Sequence, residues 1–476
     1  MSARLLLVLP LIASCSGGEE PTLLDPASYP LAHGVVIDKI TWYQGVEKTL
    51  QLGIGVFGGG SRPPPIIEGR EGRLRVAISP AEDAIPEPVA VVLSYDDPEF
   101  STTISEIFTP GEWTEDDLDS TISFAIPPDR VTPEMTLSIS VHETAPGPLI
   151  VPAEPAVWSS EDKGLDVQPT DDVVLRIIPI QYTADGSGRV PDVGPLTLAA
   201  IHDRFFATYP AREVVVELGE PLPWSSPISA FGGWEALLAE ISRQRTEAPV
   251  SDNTYFYAMF NPAETLDDFC GGGGCILGLS LLSPSPADSW ARASMGLGFP
   301  GEAIDTMLHE VGHAHGREHA PCGGAAGVDT QYPYLGAILG SWGYDLLEDR
   351  LLPPNSTFDI MGYCSPIWAS DYTFGALLQR IQALSGQPAD GLVRAELGRH
   401  TWQLAHIDEH GGATFTSTVE AGLWPGGEPV EIELLGADGA HLDTTQGWFL
   451  PFDHLPGGLA LVEPPRRAVG AARLLP

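Results

Sequence analysis

The run His309-Glu310-Val311-Gly312-His313-Ala314-His315-Gly316-Arg317-Glu318-His319 concentrates the residue types that bind a divalent metal and move protons. On a helix, residues four apart share a face with an axial offset of about 6 Å, so His309 and His313 can offer ring nitrogens to one ion. Gly316 has no Cβ to oppose a positive φ; it can end the helix and return the chain so that His319 reaches the same ion. Three protein nitrogens leave a fourth position for water, the open arrangement of a catalytic zinc site, whereas a structural site fills that position. Zinc would lower the pKa of that water toward about 7, and Glu310, beside the first ligand but off its stripe, is placed to take the proton. The hydrolytic reading therefore needs a vacant corner facing Glu310, and a fourth side chain in that corner would undo it. His315 lies between ligands but off their face and reads as a solvent-exposed bystander.

The spacing HExxHxxGxxH is met at every fixed position. At this chain's His and Gly content the full pattern would arise by chance with a probability of roughly 10⁻⁴. The run resembles the metzincin clan of zinc metallopeptidases. That resemblance implies Zn²⁺ as cofactor, His309, His313 and His319 as its ligands, Glu310 as general base, and a methionine in a tight turn beneath the metal. The segment Asp359-Ile360-Met361-Gly362-Tyr363 supplies Met361 for that turn. Tyr363 looks like the tyrosine that astacins and serralysins place near zinc, able to bind the ion or donate a hydrogen bond to the oxyanion; aromatic residues at such turns also simply pack. Ser341-Trp342-Gly343-Tyr344-Asp345 and Ser365-Pro366-Ile367-Trp368 look distantly like secreted mucin-cleaving metzincins of the StcE type, from whose turn Tyr363 departs. Trp342, Trp368 and Tyr372 read as core packing. By analogy with the clan an extended substrate lies along an edge strand, for which Ser294-Met295-Gly296-Leu297-Gly298 is the candidate.

The elements that must hold this site alternate strand and helix. Val173 to Ile178, Val214 to Val216 and Tyr255 to Phe260 read as strands. Leu196 to Tyr209 and a segment with Trp234, Leu237, Leu238 and Ile241 at helical spacing read as helices, and a further helix runs from Glu302 to His313. This predicts an α+β protein whose metzincin-like α/β catalytic domain occupies 171–386. Before it, 32–145 carries short β-branched runs separated by turns, the pattern of an all-β, immunoglobulin-like sandwich, joined by a Pro- and acid-rich linker over 146–170. After it, 387–476 reads as a small C-terminal β domain.

The first fifteen residues hold Arg4, an apolar run and Ile12-Ala13-Ser14-Cys15. This resembles a bacterial lipoprotein signal (1–15), which implies lipidation of Cys15, a flexible tether over 16–31, and an exported protein at the cell surface or facing the periplasm, on the outer membrane. A plain secretory signal is the simpler alternative. The remaining four cysteines are even in number, as a disulfide framework requires. Ring closure through Gly271 to Gly274 favours Cys270–Cys275, leaving Cys322–Cys364. A formal charge of −40 in 476 residues repels phosphate backbones and anionic headgroups. It argues against nucleic acid, and against membrane contact other than through the N-terminal anchor. The expected partner is a protein or glycoprotein substrate, acted on by a monomer. The competing reading is a non-catalytic surface lipoprotein that binds protein or glycan and keeps a structural metal site.

Overall fold

A computed structural model describes residues 26–475, apart from 54–62, 83, 145–155, 162–163, 284, 387–398, 423–424 and 453. The signal-like segment with Cys15, most of the expected tether and part of the linker lie outside the described residues. Strand outweighs helix, 39% to 18%, so the protein is mostly β around one α/β layer. Among the described residues no helix is long and apolar enough to cross a membrane.

Two antiparallel four-stranded sheets form the N-terminal unit. One runs in the order Glu47–Leu52, Val35–Tyr43, Gly72–Pro80, Ile122–Ile126, the other Phe100–Phe108, Val89–Asp97, Thr136–Glu143, Val157–Ser159. Alternation decides the faces: in Thr136–Glu143, Leu137, Ile139 and Val141 are buried against Trp42, Leu74 and Val76 of the facing sheet. Two expected connectors prove more ordered than their composition suggested. Glu143 N–H donates to Pro30 O at 3.0 Å and Leu31 bridges His142, which pins the end of the tether. Within the linker, Val157–Ser159 adds the outer strand of a sheet, and Val167–Gln168 pairs with Ile66–Ile67. Short apolar pieces there satisfy their backbone by joining existing edges.

The central sheet has the order Val214–Leu218, Val173–Tyr182, Thr254–Phe260, Ala293–Leu297, Gly278–Ser280. The first four strands are parallel, and every residue of Thr254–Phe260 is buried, as a strand covered on both faces must be. Tyr255, Tyr257 and Met259 share one core with the helices Pro195–Thr208, Ala303–Ala314 and Asp371–Ser385; Phe256, Ala258 and Phe260 share the other with helix Glu235–Glu247. The expected edge at 294–298 is not an edge. Gly278–Ser280, all three residues buried, pairs antiparallel outside Ala293–Leu297 and takes that place, with no further strand paired to it among the described residues. Gly-Leu-Ser is too short a run to announce itself as a strand.

The C-terminal part closes into a six-stranded antiparallel barrel, in the circuit Arg399–Ile407, Gly412–Gly422, Ala471–Leu474, Glu428–Leu435, His441–Pro451, Gly458–Val462. Ala405, Ile407, Ile432 and Val462 belong to the barrel's own core. Trp402, Leu404, Leu450, Phe452 and Leu455 instead merge with the core around helix Glu235–Glu247, so the barrel docks on the central unit through an apolar seam. On the other side Arg70, buried in the N-terminal unit, donates to the carbonyls of Tyr209 and Ala211 at 2.9 and 2.8 Å, satisfying backbone groups just past the end of Pro195–Thr208.

Candidate metal centre

The helix Ala303–Ala314 buries Met307, Leu308, Val311 and Ala314 in the central core, with Asp305 in its first turn near the positive end of the dipole. It stops where the sequence says it should. Gly316 adopts φ +83°, Gly316 N–H donates to His313 O at 2.7 Å, and Arg317 N–H donates to Gly312 O at 3.0 Å, the paired bonds of a Schellman end. The chain then doubles back and His319 returns to the helix.

His309, His313 and His319 come together with Nε2 of His313 at 3.1 Å from Nε2 of His309 and 3.2 Å from Nε2 of His319. Each ring is turned by its other nitrogen: Nδ1 of His309 bonds Ile360 O at 2.8 Å, that of His313 Arg317 O at 2.6 Å, that of His319 Ala326 O at 2.5 Å. Backbone acceptors at Nδ1 fix the tautomer that leaves each Nε2 lone pair aimed at the common point. Burial, reinforced by the neighbouring rings, pushes His309 down to about 3 and His313 well below the ordinary imidazole range; burial likewise pushes His319 down to about 4. Neutral imidazoles are the form a metal requires. Tetrahedral Zn²⁺ with bonds near 2.05 Å would set nitrogens about 3.3 Å apart, so the donor set fits that ion.

Glu310 is buried beside the cluster, its carboxylate against the edge strand: a Cβ on Gly278 would lie 2.5 Å from Glu310 Oε1. Below the rings, Met361 is buried and its sulfur closes against Gly312, where any Cβ would fall inside contact distance. Asp359 holds that turn by accepting from Met361 N–H at 2.8 Å and Ser370 N–H at 3.0 Å. Ala320 N–H donates to Met361 O at 2.9 Å, and the Cys322–Cys364 bridge, Cα atoms 5.8 Å apart, joins the loop after His319 to the same turn. Cys270, the last residue of helix Leu266–Cys270, is likewise bonded to Cys275, with Cα atoms 5.1 Å apart. Tyr363 brings its hydroxyl to 2.9 Å from His319 Nε2.

Two features depart from the sequence reading. His315 is buried, not exposed; its ring stacks on Tyr255 at 4.0 Å and Nδ1 bonds Val311 O at 2.9 Å. Two residues past His313 the helix surface faces the sheet, so the ring packs there, clear of the cluster. The second departure is His454, which sequence reasoning missed. One ligand atom from each of His309, His313, His319 and His454 lies within 4.8 Å of all the others. His454 sits in the turn between the barrel strands His441–Pro451 and Gly458–Val462, its Nε2 3.3 Å from Glu310 Oε1 and its Nδ1 2.7 Å from the Tyr363 hydroxyl. The corner expected to be vacant has an imidazole beside it. A lone histidine in Asp453-His454-Leu455-Pro456-Gly457 carries no spacing that would have announced this.

A family described as Peptidase M66 matches residues 293–364, from the strand before the helix through the methionine turn to Cys364. The match supports a peptidase, and of a family that is generally metal-dependent. A comparison with curated proteins finds no match. One similar solved structure, "Structure of a chaperone-substrate complex", has 12% identity and a TM-score of 0.26 over 55% of this chain and 39% of that one. The chain thus spans well under half of that structure's length, and the likeness bears on neither fold nor function.

Proposed function

We propose that the chain is a zinc-dependent endopeptidase of metzincin type that hydrolyses peptide bonds of extracellular proteins or glycoproteins. The observation that carries this is the convergence of three Nε2 atoms at 3.1–3.2 Å with Glu310 buried beside them; the Peptidase M66 match over the same segment supports it. When bound by His309, His313 and His319, zinc supplies a Lewis acid for the scissile carbonyl and for the attacking water. Glu310 takes the proton from that water and passes it to the leaving amine. Gly278–Ser280 is the outermost strand of the central sheet among the described residues, along which an extended substrate would align once the strand is uncovered, and the Tyr363 hydroxyl is placed to donate to the developing oxyanion. Two disulfides suit an oxidising, extracellular compartment. The lipid anchor at Cys15, the outer-membrane location, the monomeric state and a mucin-type substrate remain parts of this proposal.

The second reading, a non-catalytic surface lipoprotein with a structural metal site, is favoured by His454, since four imidazoles can close a tetrahedral site. Glu310→Gln separates the two. A panel of denatured proteins and mucins is digested by wild type and variant, and zinc stoichiometry is measured for both. Retained zinc with cleavage reduced by about 10²-fold or more supports the peptidase; a protein that holds one zinc and cleaves nothing, both as wild type and with His454 replaced, refutes it.

A further inference from the structure

We propose that His454 is a fourth metal ligand of the resting protein and acts as an intramolecular latch, filling the position that substrate must enter. The inference rests on the peptidase reading above: with His454 in the corner the resting protein does not hydrolyse, and the hydrolytic reading applies to the form from which His454 has withdrawn. Three groups would have to surround a scissile peptide: the metal cluster, the Glu310 carboxylate and the Tyr363 hydroxyl. His454 is a neighbour of all three. Its ring nitrogens lie 3.3 Å from Glu310 Oε1 and 2.7 Å from Tyr363 Oη, and its ring centroid is 5.4 Å from that of His319 and 5.7 Å from that of His309. A peptide carbonyl and this imidazole cannot share that volume. An imidazole is also a better zinc donor than an amide oxygen or water, so with His454 in place the substrate competes against a ligand already tethered to the protein.

The latch comes from a different unit than the site it fills. His454 projects from a barrel turn closed by Phe452 N–H donating to Gly457 O at 3.1 Å, with Gly457 at φ +90°. Phe452 and Leu455, on either side of it, are buried in the seam between barrel and central unit. The His454 position is therefore set by how the barrel docks, and release requires the turn, or the barrel with it, to draw away from the cleft.

The test uses the full chain loaded with Co²⁺ or Zn²⁺, with His454→Ala and His454→Asn measured beside wild type. The latch predicts that wild-type Co²⁺ has four nitrogen donors by X-ray absorption and that acetohydroxamate leaves its visible spectrum unchanged. Both variants should lose one nitrogen, respond to acetohydroxamate, release zinc to a chelator at least about tenfold faster, and cleave a denatured protein at least about tenfold faster than wild type. Two results overturn the latch while leaving the peptidase reading intact: a wild type that cleaves and already responds to acetohydroxamate with three nitrogens, or variants that cleave more slowly than wild type, which would make His454 a participant in the reaction. Variants that gain acetohydroxamate binding yet cleave nothing, like wild type, would uphold His454 as a ligand and sink the peptidase reading instead. The wild-type spectrum needs no variant to fold, so the coordination half stands or falls by itself.

Discussion

Replacing Gly316 by alanine should cost the centre its third ligand while leaving the surrounding fold in place. The residue holds φ +83°, a region in which a Cβ costs about 1–2 kcal/mol. The new methyl would also lie 2.6 Å from Ser283 O. That oxygen has little room to retreat, because it accepts from Arg380 Nη2 at 2.9 Å while Ser283 N–H donates to His313 O at 3.2 Å. Overpacking of this kind adds about 1–3 kcal/mol. Together the strain is about 2–5 kcal/mol, and the turn can shed it only by opening. Opening removes Arg317 O from His313 Nδ1 and carries His319 away, so the strain is felt when metal binds and largely escaped when it does not. At about 1.4 kcal/mol per tenfold, zinc affinity should fall by about 30-fold to a few thousand-fold. Competition against a chromophoric chelator at neutral pH measures this, and thermal unfolding in EDTA checks that the metal-free variant melts close to wild type. An unchanged zinc affinity would refute the argument that the glycine turn delivers His319.

Three further outcomes follow from particular contacts. Gly278→Ala would push a methyl to 2.5 Å from Glu310 Cγ and Oε1, displacing the proposed general base; kcat should drop by about 10²-fold with zinc affinity unchanged, and equal loss in both would point to a collapsed site instead. Asp288 is fully buried, and burial, opposed by Arg292 and Arg380 and by hydrogen bonding from Trp290 and the Ser285 backbone, pushes it up to about 7. A raised folded-state pKa means the folded protein holds the proton more tightly, so stability is full below about pH 4 and is lost as pH rises toward 7; Asp288→Asn should remove up to about 4 kcal/mol of that loss at pH 8, and parallel melting profiles for the two proteins would contradict it. Cys15→Ser should move the protein from membrane to soluble fractions, and unchanged partitioning would rule out the lipid anchor.

What could be read in the sequence is what the chain decides locally. The HExxHxxGxxH spacing sets two imidazoles on one helix face and the third after one glycine turn, so their approach is written in one local segment, although a distant carbonyl, Ile360 O, also orients the His309 ring. Strand and helix order in the central unit followed from periodicity, because Thr254–Phe260 is buried on both faces and Glu235–Glu247 on one. What depends on pairing across long separations was hidden. Gly278–Ser280 becomes an edge strand only because Ala293–Leu297 is there to receive it. Arg399–Ile407 closes a barrel only by meeting Gly458–Val462. His315 looked exposed because helical position says which face a residue takes and not what lies beneath it, which here is Tyr255.

His454 is the extreme of that second kind, and its energetics decide whether it can serve as a latch. Withdrawing the turn uncovers Phe452 and Leu455, which at about 1.5–3 kcal/mol for each large apolar side chain costs about 3–6 kcal/mol. Without substrate the open form would then be populated at about one part in 10² to 10⁴ before any metal–imidazole bond is counted, enough to keep the site silent. An extended peptide pairing along Gly278–Ser280 returns about 0.5–1.5 kcal/mol for each backbone hydrogen bond, and side-chain contacts in the cleft add to that. The two sums are of similar size. A short or poorly matched peptide would leave the turn closed, whereas a long, well-matched segment, or a partner that loosens the apolar seam around Trp402 and Leu404, could hold it open. The selectivity of the protein would then reside as much in the docking of the barrel as in the walls of the cleft.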